Sequence, residues 1–325
     1  MSIDSYPWLE KYYQGINLTN LPHAIIINGP KGVGKKILSR DIAKLIISNE
    51  EGISSNNDHH SLMNTNTHPD FYEINKDVIK VGDISRREND KWDPEKGKKD
   101  ALSFLNLTPS ISLNKVLLMH NVDNMTLSAQ DALLKSLEEP APYAYIIMTT
   151  SRPYSLKTTI YSRCQTFNIK NPSNKEINSW LDSRGLGDYS SLDFPSYYSP
   201  LMILSSIEDS NERVFKNFIE SFDLFLTNKI TQTEFIKSLN DLDLELIDKL
   251  NFIIEILKIL LSSQILKKPL NGIYRSFSNF EFSNLKISNI INDINDLKFN
   301  FYKVKSINES HIFNYLCSDI KSSFK

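Results

Sequence analysis

Cysteine is almost missing from this chain. Its 325 residues include two, Cys164 and Cys317, so no disulfide framework carries the fold, and the usage suits a reducing, cytoplasmic setting. An excess of either charge is missing too. The 37 basic and 39 acidic side chains leave a formal net charge of -2, which argues against a protein that grips DNA mainly by its own charge, though not against a local basic patch. No apolar run is clean enough to span a bilayer: the most apolar stretch, Leu244 to Leu266, is broken by Glu245, Asp248, Lys249, Glu255 and Lys258. Met1 to Trp8 lacks a basic region followed by an apolar one, so no signal peptide is expected. What is present is 40% apolar residues, enough to bury a core and to exclude wholesale disorder. The length implies two or three domains.

Glycine is also scarce, yet three of the ten glycines fall in one stretch, Gly29-Pro30-Lys31-Gly32-Val33-Gly34-Lys35-Lys36. It matches the phosphate-loop pattern G-x-x-x-x-G-K-[ST] at every fixed position but the last. Ala24 to Ile27 before it reads as a buried strand, and Ile37, Leu38, Ile42, Leu45 and Ile46 after it recur at helical spacing. Strand, glycine loop and helix are the context such a loop requires. There, backbone N–H groups converge on phosphate oxygens and Lys35 reaches the outer phosphates. Gly29, Gly32, Gly34 and Lys35 are therefore the candidate nucleotide residues. The Ser/Thr that would ligate Mg²⁺ is replaced by Lys36, which has no oxygen to offer.

Along the chain, Trp8 to Tyr13 reads as a short helix and Glu50 to Thr67, rich in Ser, Asn, Thr and His, as a long exposed loop. His59 and His60 are adjacent, which suits one metal ion poorly, and no cysteine lies nearby, so no metal is expected there. Phe71 to Ile74 is a second strand. Lys80 to Asp100 carries seven basic and six acidic residues, a solvated face rather than a nucleic-acid patch. Lys115 to Met119, Tyr145 to Thr150 and Thr166 to Ile169 are further strands, with a helix from Leu127 to Glu138 stopped by Pro140. Alternation of strands and helices predicts a parallel sheet with helices on both faces. After Asn171-Pro172-Ser173 the character changes. A small helix spans Asn174 to Arg184, and the rest reads helical, with segments at Val214 to Leu226, Glu234 to Leu246, Ile247 to Leu266, Leu285 to Leu297 and Ile307 to Ile320. Phe252, Ile253, Ile254, Ile256 and Leu257 crowd both faces of one helix, so part of that surface is expected to be shared with partner subunits.

A working loop of this kind also needs an acidic pair at the end of a neighbouring strand, one carboxylate for Mg²⁺ and one for water. The end of Lys115 to Met119 offers His120-Asn121 instead. Asp123, two residues on, reads as a helix-cap or loop residue. Three losses in one site predict that it does not hydrolyse nucleotide. Glu138 and Glu139 have no nucleophile or histidine placed with them, so a structural or interface role is expected.

The block Leu133-Leu134-Lys135-Ser136-Leu137-Glu138-Glu139-Pro140, then Thr149-Thr150, then Ser162-Arg163-Cys164, behind a phosphate loop, resembles the clamp-loader branch of the AAA+ ATPases. His68-Pro69-Asp70-Phe71-Tyr72 and Phe104 to Pro109 fit the same branch. The resemblance covers the first domain well and the rest as a pattern. It implies an α/β fold with three parts: an AAA+, RecA-like parallel-sheet domain over 1–170, a helical lid over 171–208 and an all-α collar for oligomerisation over 209–325. It implies a subunit of a ring-like pentamer, with motor (gamma or tau) and delta subunits, a sliding clamp and primed DNA as partners and no membrane. The arginine of Ser162-Arg163-Cys164 would act in trans as an arginine finger; on the residues alone, Arg163 also reads as a surface arginine in a salt bridge, and Cys164 as a small buried residue. Relatives with a γ-phosphate-sensing arginine place it where Leu201 stands in Ser199-Pro200-Leu201-Met202. Many carry a four-cysteine zinc module that has no counterpart here, so no zinc is expected. No cofactor is required, and weak or vestigial ATP or ADP binding is what the surviving glycines and Lys35 allow. The alternatives are an active AAA+ ATPase with atypical Mg²⁺ ligation and, disfavoured by the long helical C-terminal region, a P-loop nucleotide kinase.

Overall fold

A computed structural model describes residues 3–17, 20–48, 56–85, 100–300 and 308–324. The chain packs as two compact units, Met1–Glu176 with Ser199–Met202, and Ile177–Tyr198 with Ile203–Lys325. The first holds α1 (Pro7–Gln14), β1 (Ala24–Asn28), α2 (Lys35–Ile47), α3 (Asn56–Asn64), β2 (Phe71–Ile74), α4 (Val81–Ile84), α5 (Ala101–Leu105), β3 (Lys115–Met119), α6 (Leu127–Glu138), β4 (Ala144–Thr150), α7 (Thr158–Tyr161) and β5 (Gln165–Asn168). Helices α8 (Asn174–Ser183) and α9 (Pro200–Glu208) follow.

Among the described residues the five strands form one sheet in the order β2-β3-β4-β1-β5, every pair parallel. The expected α/β nucleotide fold of AAA+ type is therefore present. The inner strands β1, β3 and β4 are apolar because helices cover both faces, which removes the alternation an exposed face would impose. Edge strand β5 is polar and largely exposed. Register pairs Asn28 with Thr150 and Met119 with Met148. The carboxyl ends of β1, β3 and β4 thus lie side by side, the edge where open α/β sheets carry their sites. Below it, Ile26, Leu117 and Met148 pack with Phe104, Leu133 and Leu137 in one core.

The segment read as a loop, Glu50 to Thr67, contains helix α3. Its polar composition hides an inward side on which His59 and Met63 are buried. Of the charged stretch from Lys80 to Asp100, residues 86–99 lie outside the described residues.

The second unit contains α10 (Val214–Leu226), α11 (Gln232–Asn240), α12 (Leu246–Leu266), a 3₁₀ segment (Gly272–Asn279), α13 (Asn284–Asn300) and α14 (Glu309–Ser323). The helix expected from Glu234 to Leu246 is shorter at its C-terminal end and starts at Gln232. A reciprocal cap between Thr231 and Glu234 sets that start. Phe215, Phe218, Phe222 and Phe225 line α10 at helical spacing and meet Phe235 and Phe252 in one core. One expectation is corrected here. Phe252, Ile253, Ile254, Ile256 and Leu257 are all buried within this chain, so α12 is crowded with apolar residues over this stretch because it is the central helix of its own unit. None of these five is left over for a partner.

Candidate functional site

The glycine loop leaves β1 and enters α2 with Gly34 at φ 100° as its N-terminal cap and Gly32 at φ 78°, left-handed values that glycine adopts without strain. A side chain at Gly32 would lie 2.5 Å from Met202 Cγ. Two segments pin the loop by its carbonyls. Leu201 N–H donates to Gly32 O at 3.1 Å, and Trp8 Nε1–H of α1 donates to Val33 O at 2.9 Å. The stretch matched to the sensing position thus reaches the phosphate loop, bringing Leu201 and Met202 there and no arginine.

Lys35 is buried. Its ammonium donates to Gly29 O at 2.7 Å, Pro30 O at 2.7 Å and Ser151 Oγ at 2.9 Å, which uses all three of its N–H groups. Burial pulls its pKa down to about 8, against an opposing pull from Asp123. The loop keeps the shape of a phosphate cradle, and a phosphate group would have to draw Lys35 from three acceptors to engage it.

The magnesium side of the site is built differently. Lys36 Nζ donates to Asn75 Oδ1 at 2.9 Å. His120, fully buried at the end of β3, meets Glu73 Oε1 through Nε2 at 2.7 Å and Thr149 Oγ1 through Nδ1 at 3.3 Å. Glu73 also pairs with Arg40 at 3.2 Å. Burial alone would raise the Glu73 carboxyl, but the hydrogen bond from His120 and the Arg40 charge outweigh it and hold it below the usual range. Glu73 is thus ionised and Nε2 is the donor. Asn121 adopts a left-handed turn, φ 52°. Asp123 lies in the short 3₁₀ turn Val122–Asn124 after β3, in the connection rather than at a helix cap. It takes Thr150 Oγ1 at 3.2 Å, Ser151 N–H at 3.3 Å and Arg152 Nε at 3.0 Å, tying the residues after β4 to those after β3. The oxygen donors a magnesium–nucleotide needs are therefore not assembled at positions 36, 120 and 121.

Ser162, Arg163 and Cys164 follow α7. The Arg163 side chain is one-third exposed and lies 2.7 Å from Glu138 Oε1 through Nη2; Nη1 donates to Thr159 O at 2.8 Å and Ser162 Oγ at 3.3 Å. The ion pair is what the surface-arginine reading anticipates, and the exposure is what action in trans requires. Burial pushes the Cys164 thiol up to about 12, so it stays protonated and unreactive.

Several residues that organise this edge escaped the sequence. Trp8, Arg40, Glu73 and Asp123 act through partners 23 or more positions away, and only the pairing of β2 and β3 side by side brings Glu73 to His120. His68-Pro69-Asp70 proves to be a structural joint. His68 Nε2 bonds His59 Nδ1 at 2.9 Å and its Nδ1 accepts from Asp70 N–H at 3.0 Å. His59 therefore pairs with His68 rather than acting with His60, which lies against Ser48. Among the described residues no group of three or more metal-ligating side chains converges, and no helix is long and apolar enough to cross a membrane.

A phosphate-loop sheet of this strand order, carrying the Leu133–Pro140 and Ser162–Cys164 blocks and followed by a helical region, defines a clamp-loader subunit of the AAA+ class. The family model described as "DNA polymerase III, delta subunit" matches residues 8–173, more than half of the chain. The chain belongs to that family, and its likeness within it is to delta-prime subunits. "DNA polymerase III subunit delta'" of Haemophilus influenzae is 28% identical over 232 residues, 68% of this chain and 67% of that one. "DNA polymerase III subunit tau" of Bacillus subtilis is 28% identical over 155 residues, 48% of this chain and 26% of that one. A solved gamma subunit-related protein from Thermotoga maritima aligns over 96% of this chain and 98% of its own, with 16% identity and a TM-score of 0.46.

Proposed function

We propose that this chain is a non-hydrolysing member of the DNA polymerase III clamp loader. It assembles with motor (gamma or tau) and delta subunits through its C-terminal helices, helps them open a sliding clamp and place it on primed DNA, and offers Arg163 to the ATP site of a neighbour. The observation that carries the reading is His120. The strand-end position that needs a magnesium carboxylate holds an imidazole with both ring nitrogens engaged inside the chain, and Lys36 supports it by turning to Asn75. A site so rebuilt favours a rigid partner over a motor. Phosphoryl transfer builds charge on the γ-phosphate oxygens, and a guanidinium supplied from outside stabilises it.

Two measurements test the reading. The isolated chain should show no ATPase activity above background with Mg²⁺ and DNA, and Lys36→Thr alone should not create it; turnover near ~1 per second, low for ordinary enzymes, abolished by Lys35→Ala, would instead establish the active-ATPase alternative. In a reconstituted complex, Arg163→Ala should leave assembly intact and lower DNA-stimulated ATP hydrolysis and clamp loading. Arginine fingers are worth about 10³–10⁵ in rate at their own site, and the total rate should fall by much less because other ATP sites remain. Arg163→Lys should rescue poorly, since a point charge lacks the planar fork. Wild-type activity of Arg163→Ala at several ATP concentrations would leave only the surface-arginine role.

A further inference from the structure

Glu138 is the last residue of α6, which ends before Pro140. A carboxylate there sits at the negative end of the helix dipole, where acids are disfavoured and cations favoured. Glu139 follows and adds a second one. Lys135 lies in the same last turn, and the cation paired with Glu138 is Arg163, whose Nη2 lies 2.7 Å from Glu138 Oε1. Its Nη1 is taken by Thr159 O and Ser162 Oγ on the α7 side. Two hydrogen bonds and one ion pair, from two elements, thus orient the guanidinium. The two hydrogen bonds use both N–H groups on Nη1; among the described residues Nε–H and the Nη2 hydrogens make no hydrogen bond, and Nη2 is held by the charge of Glu138. An arginine on a flexible stem would otherwise have to be ordered each time it met a phosphate, and small errors in placement are costly in rate.

We propose that Glu138 is a positioning residue for Arg163: its charge holds the guanidinium oriented before any nucleotide arrives, with Nε–H and Nη2 outside the hydrogen bonds to α7 and able to meet phosphate oxygens of a neighbouring subunit. This rests on the trans-acting reading of Arg163 above. Glu138 touches no substrate itself and acts through the arginine alone.

The test uses the complete reconstituted complex with Glu138→Ala, Glu138→Gln, Arg163→Ala and the Glu138→Ala/Arg163→Ala double variant, each checked for assembly and melting temperature. Glu138→Ala should lower the maximal DNA-stimulated ATPase rate by about threefold, less than Arg163→Ala, with KM for ATP unchanged, because misplacing a catalytic group costs rate. Glu138→Gln keeps an acceptor oxygen and should recover part of the loss. In the Arg163→Ala background, Glu138→Ala should cost nothing more. A further fall in that background would mean a merely structural role and overturn the proposal. A rise in activity of Glu138→Ala would overturn it too, showing the carboxylate to be a latch on the arginine. Wild-type activity of both Glu138 variants beside an impaired Arg163→Ala would overturn the positioning role and leave the finger standing, whereas a wild-type Arg163→Ala would remove both.

Discussion

Asp70 shows how far a single buried carboxylate reaches. Fully buried, it accepts from Ser110 N–H at 2.7 Å, Ile111 N–H at 2.8 Å, Ser112 N–H at 3.0 Å and the Ser112 hydroxyl at 3.0 Å, so it anchors the loop leading into β3. Burial would raise its pKa, but these donors outweigh it and hold the carboxyl below its usual range. The unfolded chain therefore takes up a proton first on acidification, and the Asp70 contribution is whole above about pH 4 and lost as pH falls through the folded value. His68 is depressed as well, chiefly by burial and also by His59, with Asp70 opposing. A proton would have to displace the Asp70 N–H from Nδ1. The unfolded histidine charges first, so stability should decline as pH drops below about 6.5. Urea denaturation between pH 7 and 5 should show that decline in the wild type and a shallower one in His68→Gln. Asp70→Ala should cost about 3–5 kcal/mol at neutral pH, since it strands several buried donors and removes the carboxylate 3.7 Å from the buried Lys115; an unchanged midpoint would remove the anchoring role. The sequence displays His68-Pro69-Asp70 as a block but not its use, because the donors it serves lie some forty positions downstream.

Elements were legible in proportion to how one-sided their burial is. The strands declared themselves because helices cover both faces of the sheet, leaving unbroken runs such as Val116-Leu117-Leu118-Met119. Helix α6 declared itself by its stripe and its proline stop. Helix α3 did not, since among its described side chains the buried ones are His59 and Met63, too few to mark a period in a polar stretch. Helix α12 declared its existence and misled about its surroundings: crowded with apolar residues over Phe252 to Leu257, it suits an inner helix as well as an interface. The phosphate loop was legible as a pattern, while the means that pin it, Trp8 and the start of α9, were not, because backbone carbonyls carry no sequence signature. Those means make a prediction at this scale. Gly32→Ala meets both a left-handed φ and Met202 Cγ at 2.5 Å, and should destabilise the first unit by about 1–3 kcal/mol. Met202→Ala in the same chain should recover only the part due to contact, leaving the backbone strain. Thermal melts of the three variants separate the two contributions, and full recovery in the double variant would show that the dihedral carries none of the cost.

At the scale of the whole molecule, the residues that join the phosphoryl-transfer argument all belong to one unit, whereas the aromatic core belongs to the other. That division suggests that the second unit folds by itself. Its boundary is less obvious than the composition change after Ser173 makes it look, because Ile177–Tyr198 packs with the helices that follow Ile203. The reason is local and polar. Glu255, buried in the middle of α12, accepts the Ser196 backbone N–H at 2.7 Å, and the segment around Ser191 meets the 3₁₀ turn at Gly272–Asn279. A fragment starting near residue 210 would keep the phenylalanine core and lose the partner of a buried carboxylate, at a cost of about 1–3 kcal/mol or more for a charged group. A fragment of residues 172–325 should therefore melt cooperatively by circular dichroism, and one of residues 210–325 should be helical but melt several degrees lower, at about 2–4 °C per kcal/mol for a unit of about 150 residues. Glu255→Gln should narrow the gap, because a neutral amide bears the loss of Ser196 more easily than a carboxylate. Mixed with motor and delta subunits, the folded 172–325 fragment should enter a complex if the collar lies within it. Equal melting of the two fragments would mean that Glu255 finds water once Ser196 is gone, and that the earlier segment contributes nothing to the stability of the helices after it.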